Sequence, residues 1–214
     1  LLLFSLSLSY SQTKVTPDEH WSAYAISVQP QNEETVFNII DEYFSEYKLD
    51  DIKVMLFSIL FADDSMSEAT HEIVFVGNSD SMSKFYSPMN FTTEWNLFSS
   101  KISNFIEKTI WALNGTGLAS TGPDPSEVVY PYERILNWGP ERDIQKFRKA
   151  WVELNTKHER TDRSAVIFTI TSSAEHKSGV VLRYPTYKAM LNSNAEYARN
   201  NPSWQKDWQT YLKE

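Results

Sequence analysis

The chain has 214 residues and no cysteine, which excludes disulfides, thiolate nucleophiles and cysteine-ligated zinc or iron–sulfur centres. Hydrophobic residues make up 41% of it and charged residues 22%, so we expect a packed core rather than disorder. Its net charge of −8 and its dispersed basic residues argue against nucleic-acid binding.

The charge is divided unevenly along the chain. Residues 13–126 contain 6 Lys/Arg and 17 Asp/Glu, a balance of −11, whereas residues 127–214 contain 14 and 11, a balance of +3. Halves of opposite charge favour docking on each other. We therefore predict an intramolecular pseudo-dimer, which is a monomer as a whole.

Residues 1–12 form an uncharged, apolar and serine-rich run. The run is too short to span a bilayer but has the length of the apolar region of a secretory signal. It resembles the signal peptides of Bacteroidetes-type bacteria, which often end in a Ser-Gln pair, here Ser11-Gln12. We predict a signal-peptide remnant and an exported protein, periplasmic or extracellular, with a buried first strand or a tail as the alternative. No later apolar run reaches 18 residues, so no membrane span is predicted.

Residues 13–114 are predicted to form a first β-α-β-β-α-β unit. Alternating apolar residues predict a strand over residues 21–28, and helical spacing of Val36, Ile40 and Phe44 predicts a helix from Asn32. The nearly continuous apolar run 54–61 predicts a strand that is covered on both faces.

A shorter strand over residues 72–76 follows in this unit. A helix capped by Thr92 or Thr93 is then predicted to run to Lys108, and the last strand to begin at Ile110. Residues 115–126 are rich in Gly, Pro, Ser and Thr and are predicted to be a linker between two domains.

Residues 127–214 repeat the same order. Strands are predicted over residues 128–138, 164–170 and 179–184, with a helix that begins near Pro140 and a Trp-bearing helix around Asp207. The final strand of this second unit is predicted to lie beyond residue 214.

The order β-α-β-β-α-β is that of the ferredoxin-like fold, in which two helices cover one face of an antiparallel sheet. The chain resembles the dimeric alpha-plus-beta barrel superfamily, particularly its tandem forms, through residues 135–141 (ILNWGPE), residues 147–158 (FRKAWVELNTKH) and a looser echo at residues 26–30. The resemblance implies an α+β fold of two ferredoxin-like repeats packed sheet to sheet. It also implies a range of activities that includes cofactor-independent monooxygenases, haem-degrading enzymes and dye-decolourising peroxidases.

Five residues are candidates for a functional site. His158 extends the apolar stripe of its helix by one turn and is a candidate base, although a half-buried histidine at a helix C-terminus is the simpler interpretation. Asn137 is a second catalytic candidate, with turn chemistry before Gly139 as its alternative. Trp138, Trp151 and Tyr184 are candidate ligand-binding residues or, alternatively, core.

Three functions stay open, because the sequence contains no catalytic or metal-binding motif and identifies no cofactor. The first is the binding of a small apolar or aromatic molecule in a barrel or a sheet–helix pocket, which the aromatic content favours. The second is a monooxygenase-like enzyme centred on Asn137, Trp138, Trp151 and His158. The third is a structural or interaction protein without a ligand.

Overall fold

The computed structural model describes residues 14–15, 18–47, 51–61, 68–87, 92–123, 130–139, 143–173 and 177–211. The strands in these ranges are β1 (Lys14–Val15), β2 (His20–Val28), β3 (Ile52–Ser58), β4 (His71–Gly77), β5 (Ile106–Thr121), β6 (Tyr132–Trp138), β7 (Ser164–Ile170) and β8 (Ser178–Tyr184). The helices are α1 (Glu33–Glu46), α2 (Ser79–Phe85), α3 (Thr93–Ser103), α4 (Ile144–Lys157), α5 (Tyr187–Asn200) and α6 (Pro202–Tyr211). The strands hydrogen-bond in the order β3-β4-β2-β5-β7-β8-β6, with β1 beside β5. The predicted α+β class is therefore confirmed.

Residues 18–116 form one compact unit. Its strands lie in the order β3-β4-β2-β5, and each neighbouring pair is antiparallel. This is the strand order of a ferredoxin-like unit, in which the first strand lies between the third and the fourth. Buried residues of β2, β4, α1, α2 and α3 form its core: Ile26, Val28, Val36, Ile39, Ile40, Ile73, Phe75, Met82 and Ile102.

The part of the chain from Gly117 onward belongs to a second compact unit. Its strand β8 pairs antiparallel with both β6 and β7. One face of these strands packs with α4, α5 and α6 around a second core: Trp151, Ala165, Ile167, Val180, Leu182, Tyr184 and Met190. Asp143 caps α4 by accepting hydrogen bonds from the backbone N–H groups of Gln145 and Lys146, both at 3.1 Å.

The residues predicted to form a linker are in fact largely strand. β5 runs without a break from Ile106 to Thr121, and the division between the two units falls inside it, after Thr116. Gly115 pairs with Trp21 of β2, and Ala119 pairs with Val15 of β1. Backbone hydrogen bonds to neighbouring strands hold these small residues extended, so their weak intrinsic preference for strands does not decide the structure. Residues 124–126 lie outside the described residues, as do residues 1–12.

The strand β3 is not covered on both faces as predicted. It stands at the end of the hydrogen-bonded order, and its side chains are half-buried or exposed. One face of β3 packs against α1, and the strand lies at the edge of the sheet. The apolar pattern of an edge strand of this kind cannot be distinguished from that of a central strand by periodicity alone.

Three helices differ from the sequence-based prediction, one in its extent and two because they were not predicted. α3 ends at Ser103 rather than Lys108, because the side chains of Ser103 and Asn104 both donate to the carbonyl of Ser100 and close the last turn. The sequence-based prediction contains neither α2 nor α5, and apolar spacing does not mark where they begin. Each begins at a side-chain cap instead: Asn78 accepts from Ser81 N–H, and Thr186 accepts from Ala189 N–H.

Candidate functional site

An apolar pocket of about 300 Å³ lies in the first unit, between α1 and the edge strand β3. The residues that line it are Phe37, Ile40, Asp41, Phe44, Ser45, Ile52, Val54 and Leu56. Its volume falls at the lower end of the range of small-molecule sites in proteins, about 300–1,000 Å³.

The sequence builds this pocket from two simple periodicities. The lining residues of α1 occupy positions 37, 40, 41, 44 and 45, which is one stripe of an α-helix. The lining residues of β3 occupy positions 52, 54 and 56, which is one face of a strand. A helix stripe therefore faces a strand face, and the space between them is only partly filled.

The pocket opens to solvent because β3 is a sheet edge. The Phe37 side chain at its rim is 54% exposed, and the lining residues Ile52, Val54 and Leu56 are only half-buried. A large exposed aromatic residue beside a concave apolar surface is typical of a ligand-binding groove.

Aromatic packing holds the inner wall in place. The ring of Phe44 lies 5.7 Å from the ring of Phe75 and 5.5 Å from that of Phe98, both edge-to-face. Phe98 in turn stacks on Tyr43 at 4.3 Å. Such ring pairs add to the free energy gained from burial and restrict side-chain rotation, so the wall is preorganised.

Polar groups also contribute to the surface of the pocket. Asp41 and Ser45 supply the polar side chains of the lining, and both are exposed residues of α1. A carboxylate and a hydroxyl at a rim can accept a hydrogen bond from a ligand and orient it. They do not form a nucleophile–base pair.

A hydroxyl cluster lies elsewhere in the same unit. The Tyr86 hydroxyl is 2.5 Å from Ser22 Oγ and 2.9 Å from the Tyr24 hydroxyl. Burial raises the pKa of Tyr86 far above its ordinary value, although the hydrogen bond with Ser22 opposes the shift. The Tyr86 hydroxyl therefore stays protonated at neutral pH and is a poor general base.

The second unit holds the residues that the sequence analysis singled out, and it places three of them together. Trp138, Trp151 and Tyr184 all belong to the core between the sheet and α4. Trp138 packs on Phe147 at 4.8 Å, and Phe147 stacks on Trp151 at 5.9 Å. Trp151 and Tyr184 are buried in this core, and Trp138 and Phe147 are partly buried against it. A ligand-binding role for them stays a prediction.

Asn137 and His158 are not brought to that group. Asn137 precedes Trp138 in β6 and so faces the opposite side of the sheet, where its Oδ1 lies beside Gly179. His158 Nε2 donates to Asp207 Oδ2 at 2.6 Å and joins the end of α4 to α6. That hydrogen bond and another from Lys157 lower the pKa of Asp207 below its ordinary value. The proposed four-residue centre therefore does not converge.

The described residues offer no obvious metal site. Among them, no three His, Asp or Glu side chains are grouped closely enough to hold a metal ion. Within the same ranges, no helix is both long and apolar enough to cross a membrane.

Comparison with known proteins connects this geometry to a fold. No family model and no curated protein sequence matches the chain. Solved structures do. A protein from Fusobacterium nucleatum described as a "putative monooxygenase" is 11% identical, covers 87% of each chain and superposes with a TM-score of 0.59.

Two further structures resemble the chain at a similar level. An "anthrone oxidase-like protein" is 6% identical, covers 94% of this chain and 88% of its own, and has a TM-score of 0.56. A mutant chlorite dismutase from Candidatus Nitrospira defluvii is 9% identical, covers 83% and 81%, and has a TM-score of 0.50. The chain shares the fold of these structures. At these identities the likeness shows the fold alone.

Sequence reasoning missed the pocket although it identified the elements around it. Ile40 and Phe44 were recognised as an apolar stripe, and the strand containing Val54 was recognised as apolar. The sequence did contain a signal for the pocket. Phe37 widens the apolar stripe toward solvent, and Asp41 and Ser45 lie on the same side of the helix. What the sequence did not reveal was that β3 is an edge.

Proposed function

We propose that the chain binds a small apolar or aromatic molecule in the pocket between α1 and β3. The observation that carries this proposal is a pocket with a volume of about 300 Å³. Most of its lining residues are apolar, and Asp41 and Ser45 supply two polar side chains. Sites of this kind bind mainly by removing apolar ligand surface from water, and their few polar groups fix orientation.

The pocket also restricts the chemical class of the ligand. Its volume suits one or two fused rings, and Phe37 and Phe44 offer faces on which a ring can stack. Asp41 accepts hydrogen bonds and carries negative charge, so a hydroxyl or amino substituent fits and a ligand carboxylate does not.

The test is a ligand screen against a variant in which the pocket is filled. Val54→Trp places a bulky ring in the pocket, whereas Lys53→Trp adds the same ring to the next residue of β3, which faces the other side of the sheet. We expect hydroxylated and amino-substituted bicyclic aromatics to raise the melting temperature of the wild-type chain, because a ligand that binds only the native state stabilises it. Isothermal titration of the strongest compound then gives its affinity.

The two variants separate the outcomes. Val54→Trp is expected to weaken binding by at least about tenfold, and Lys53→Trp to leave it within about twofold. If the two variants bind equally well, the ligand lies elsewhere and the proposal is wrong. It is also wrong if no aromatic compound binds the wild-type chain.

A monooxygenase-like activity is the second candidate. It is supported by the names of two similar structures, a "putative monooxygenase" and an "anthrone oxidase-like protein", and by a pocket that admits aromatic molecules. Oxygen uptake in the presence of a bound aromatic compound tests it. Uptake that requires the compound and disappears in Val54→Trp would favour an enzyme, and its absence across all bound compounds would favour a binding protein.

We also infer that the two units are tandem copies packed as a pseudo-dimer and that the protein is exported. The shared β-α-β-β-α order of the two units supports the first inference, and the apolar run at residues 1–12 supports the second. Light scattering should give the mass of a single chain. A reporter enzyme that is active only outside the cytoplasm, fused after residue 20, should be active in bacteria.

A further inference from the structure

A buried cluster of charged residues lies in the second unit, where α4 leads into β7. Arg160 is 2% exposed and Arg163 is 5% exposed. Arginine is among the residues least often buried completely, and a buried guanidinium normally has a carboxylate partner. The two arginines differ in how this requirement is met.

Arg160 is fully engaged. It forms a two-point ion pair with Asp162, from Nε to Oδ1 at 2.9 Å and from Nη2 to Oδ2 at 2.6 Å. It also donates to Ser193 Oγ at 2.7 Å and Asn194 Oδ1 at 3.0 Å. Its guanidinium lies 4.2 Å from the centre of the Tyr197 ring. This arrangement anchors the loop to α5.

Arg163 is not engaged in this way. In the described part of the chain, its guanidinium makes one long hydrogen bond, from Nη1 to the Tyr184 hydroxyl at 3.4 Å. Its central carbon lies 6.0 Å from the centre of the Trp151 ring. A guanidinium has five N–H donors, so most of its donor capacity faces buried surroundings that contain aromatic rings.

A second unpaired donor lies beside Arg163. The indole N–H group of Trp151, whose ring lies near the guanidinium, is also buried and has no hydrogen-bond acceptor among the described residues. The Asp162 carboxylate forms its ion pair with Arg160 and acts on Arg163 through its charge alone. Burial and the neighbouring Arg160 both lower the pKa of Arg163, whereas Asp162 and Tyr184 oppose the shift only in part. Uncompensated charge and unpaired donors in one buried place are costly.

We propose that the Arg163 guanidinium binds a small monovalent carboxylate. A carboxylate presents two oxygens in the plane and spacing that match the guanidinium fork. One negative charge neutralises the Arg163 guanidinium, whereas a phosphate dianion would leave excess negative charge beside the rings of Trp151 and Tyr184. The site lies in the second unit and does not depend on the pocket of the first.

The cluster is not sealed from solvent. The Asp162 side chain, which belongs to the same ion-paired group, is 36% exposed. A ligand the size of formate or acetate can approach along this exposed side with a small local rearrangement.

Formate and acetate are the probes, added to the complete chain at constant ionic strength with chloride as the balancing anion. We expect a saturable rise in melting temperature of about 5 °C at concentrations far above the dissociation constant, and a smaller rise with phosphate. Line broadening of ¹³C-formate in the presence of the protein measures binding directly. Arg163→Gln should abolish both effects, and Arg163→Lys should weaken binding by about tenfold because it lacks the planar fork.

Arg183→Gln is the matched control. Arg183 is also largely buried in this unit, but it is paired with Glu133, from Nε to Oε1 at 2.5 Å, so its replacement should leave the formate response intact. The proposal is overturned if formate has no saturable effect on the wild-type chain, if phosphate binds more tightly than formate, or if Arg163→Gln retains the response. Equal loss in Arg183→Gln would also overturn it. If Arg163→Gln does not fold, formate broadening with the wild-type chain and with Arg163→Lys decides.

Discussion

The two units use the same order of elements but treat the space between sheet and helix differently. In the first unit, α1 and β3 leave a pocket lined by Ile40, Phe44 and Val54. In the second unit, α4 brings Phe147 and Trp151 onto the sheet, where the two rings stack on each other. The volume of a few side chains, rather than the fold, decides whether the layer between sheet and helix can accept a ligand.

The difference extends to polar groups. The first unit places its carboxylate and hydroxyl, Asp41 and Ser45, at the open rim of the pocket. The second unit buries Arg160 and Arg163 behind its helices. The first unit therefore has an open pocket with polar groups at its rim, whereas the second has an enclosed cationic cluster.

Core truncation should show the largest contrast between the units. Trp151→Ala removes a buried ring from the second core and should lower the free energy of unfolding by about 3–5 kcal/mol. Val54→Ala removes two half-buried methyl groups at the pocket and should cost about 1 kcal/mol or less. Urea titration followed by far-ultraviolet circular dichroism measures both. Equal costs would show that the first unit is as tightly packed at β3 as the second is at Trp151.

Two glycines, one in each unit, allow the packing around β8 and β4 to be compared. A Cβ at Gly179 of β8 would lie 2.5 Å from Phe168 Cζ, 2.6 Å from Asn137 Oδ1 and 2.7 Å from the carbonyl oxygen of Leu136. At Gly77 of β4, the closest atoms would be the Asp51 carbonyl oxygen at 2.9 Å and Ile52 Cγ1 at 3.0 Å.

Gly179→Ala should therefore destabilise the chain by about 1–3 kcal/mol, and Gly77→Ala by less, because overpacking costs grow with the severity of the clash. Differential scanning calorimetry ranks the two melting temperatures. If Gly77→Ala lowered the melting temperature more than Gly179→Ala, then the strands around Gly179 would accommodate an added methyl group more easily than those around Gly77.

The smallest expected effect is a pH dependence that belongs to the first unit alone. Burial lowers the pKa of His71 below its ordinary value of 6.5, and the charge of Glu33 opposes the shift only in part. Below pH 6.5 the unfolded chain takes up a proton that the folded chain resists, so this stability is present above pH 6.5 and is lost as the pH falls toward the folded-state pKa.

Unfolding by urea at pH 7.5 and pH 5.5 should show this loss in the wild-type chain. His71→Gln keeps an acceptor for the neighbouring Thr70 hydroxyl, which lies 2.9 Å from His71 Nδ1, and should reduce the difference between the two pH values. A difference that is unchanged in His71→Gln would assign the pH dependence to other groups.

Periodicity predicted most elements of the fold correctly. Alternation identified β2, and the helical spacing of Val36, Ile40 and Phe44 identified α1. β7 and β8 were identified as short apolar runs, and both are buried on both faces. α2 and α5 were not predicted, because side-chain caps rather than apolar stripes mark where they begin. β5 was missed between residues 115 and 121 because its pairing partners β1 and β2 are distant in the sequence.

The sites were harder to predict than the fold. The pocket depends on β3 being an edge, which is a property of the whole strand order and not of its own residues. Arg163 was not recognised because a single arginine in a sequence is expected at the surface. Trp138, Trp151 and Tyr184 were recognised as a group, but the sequence did not show which of them are buried in the core.

The continuous strand β5 has a consequence for how the chain can be divided. It spans 16 residues, and the division between the units falls within it. Its pairs with β2 join residues as far apart as His20 and Thr116, so the first sheet can be completed only after its whole sequence has been synthesised, and slow folding is expected. Proteases cleave most readily in segments that are not paired with other strands, and residues 106–121 form a paired strand. Separating the two units there would therefore require cleavage of a hydrogen-bonded strand.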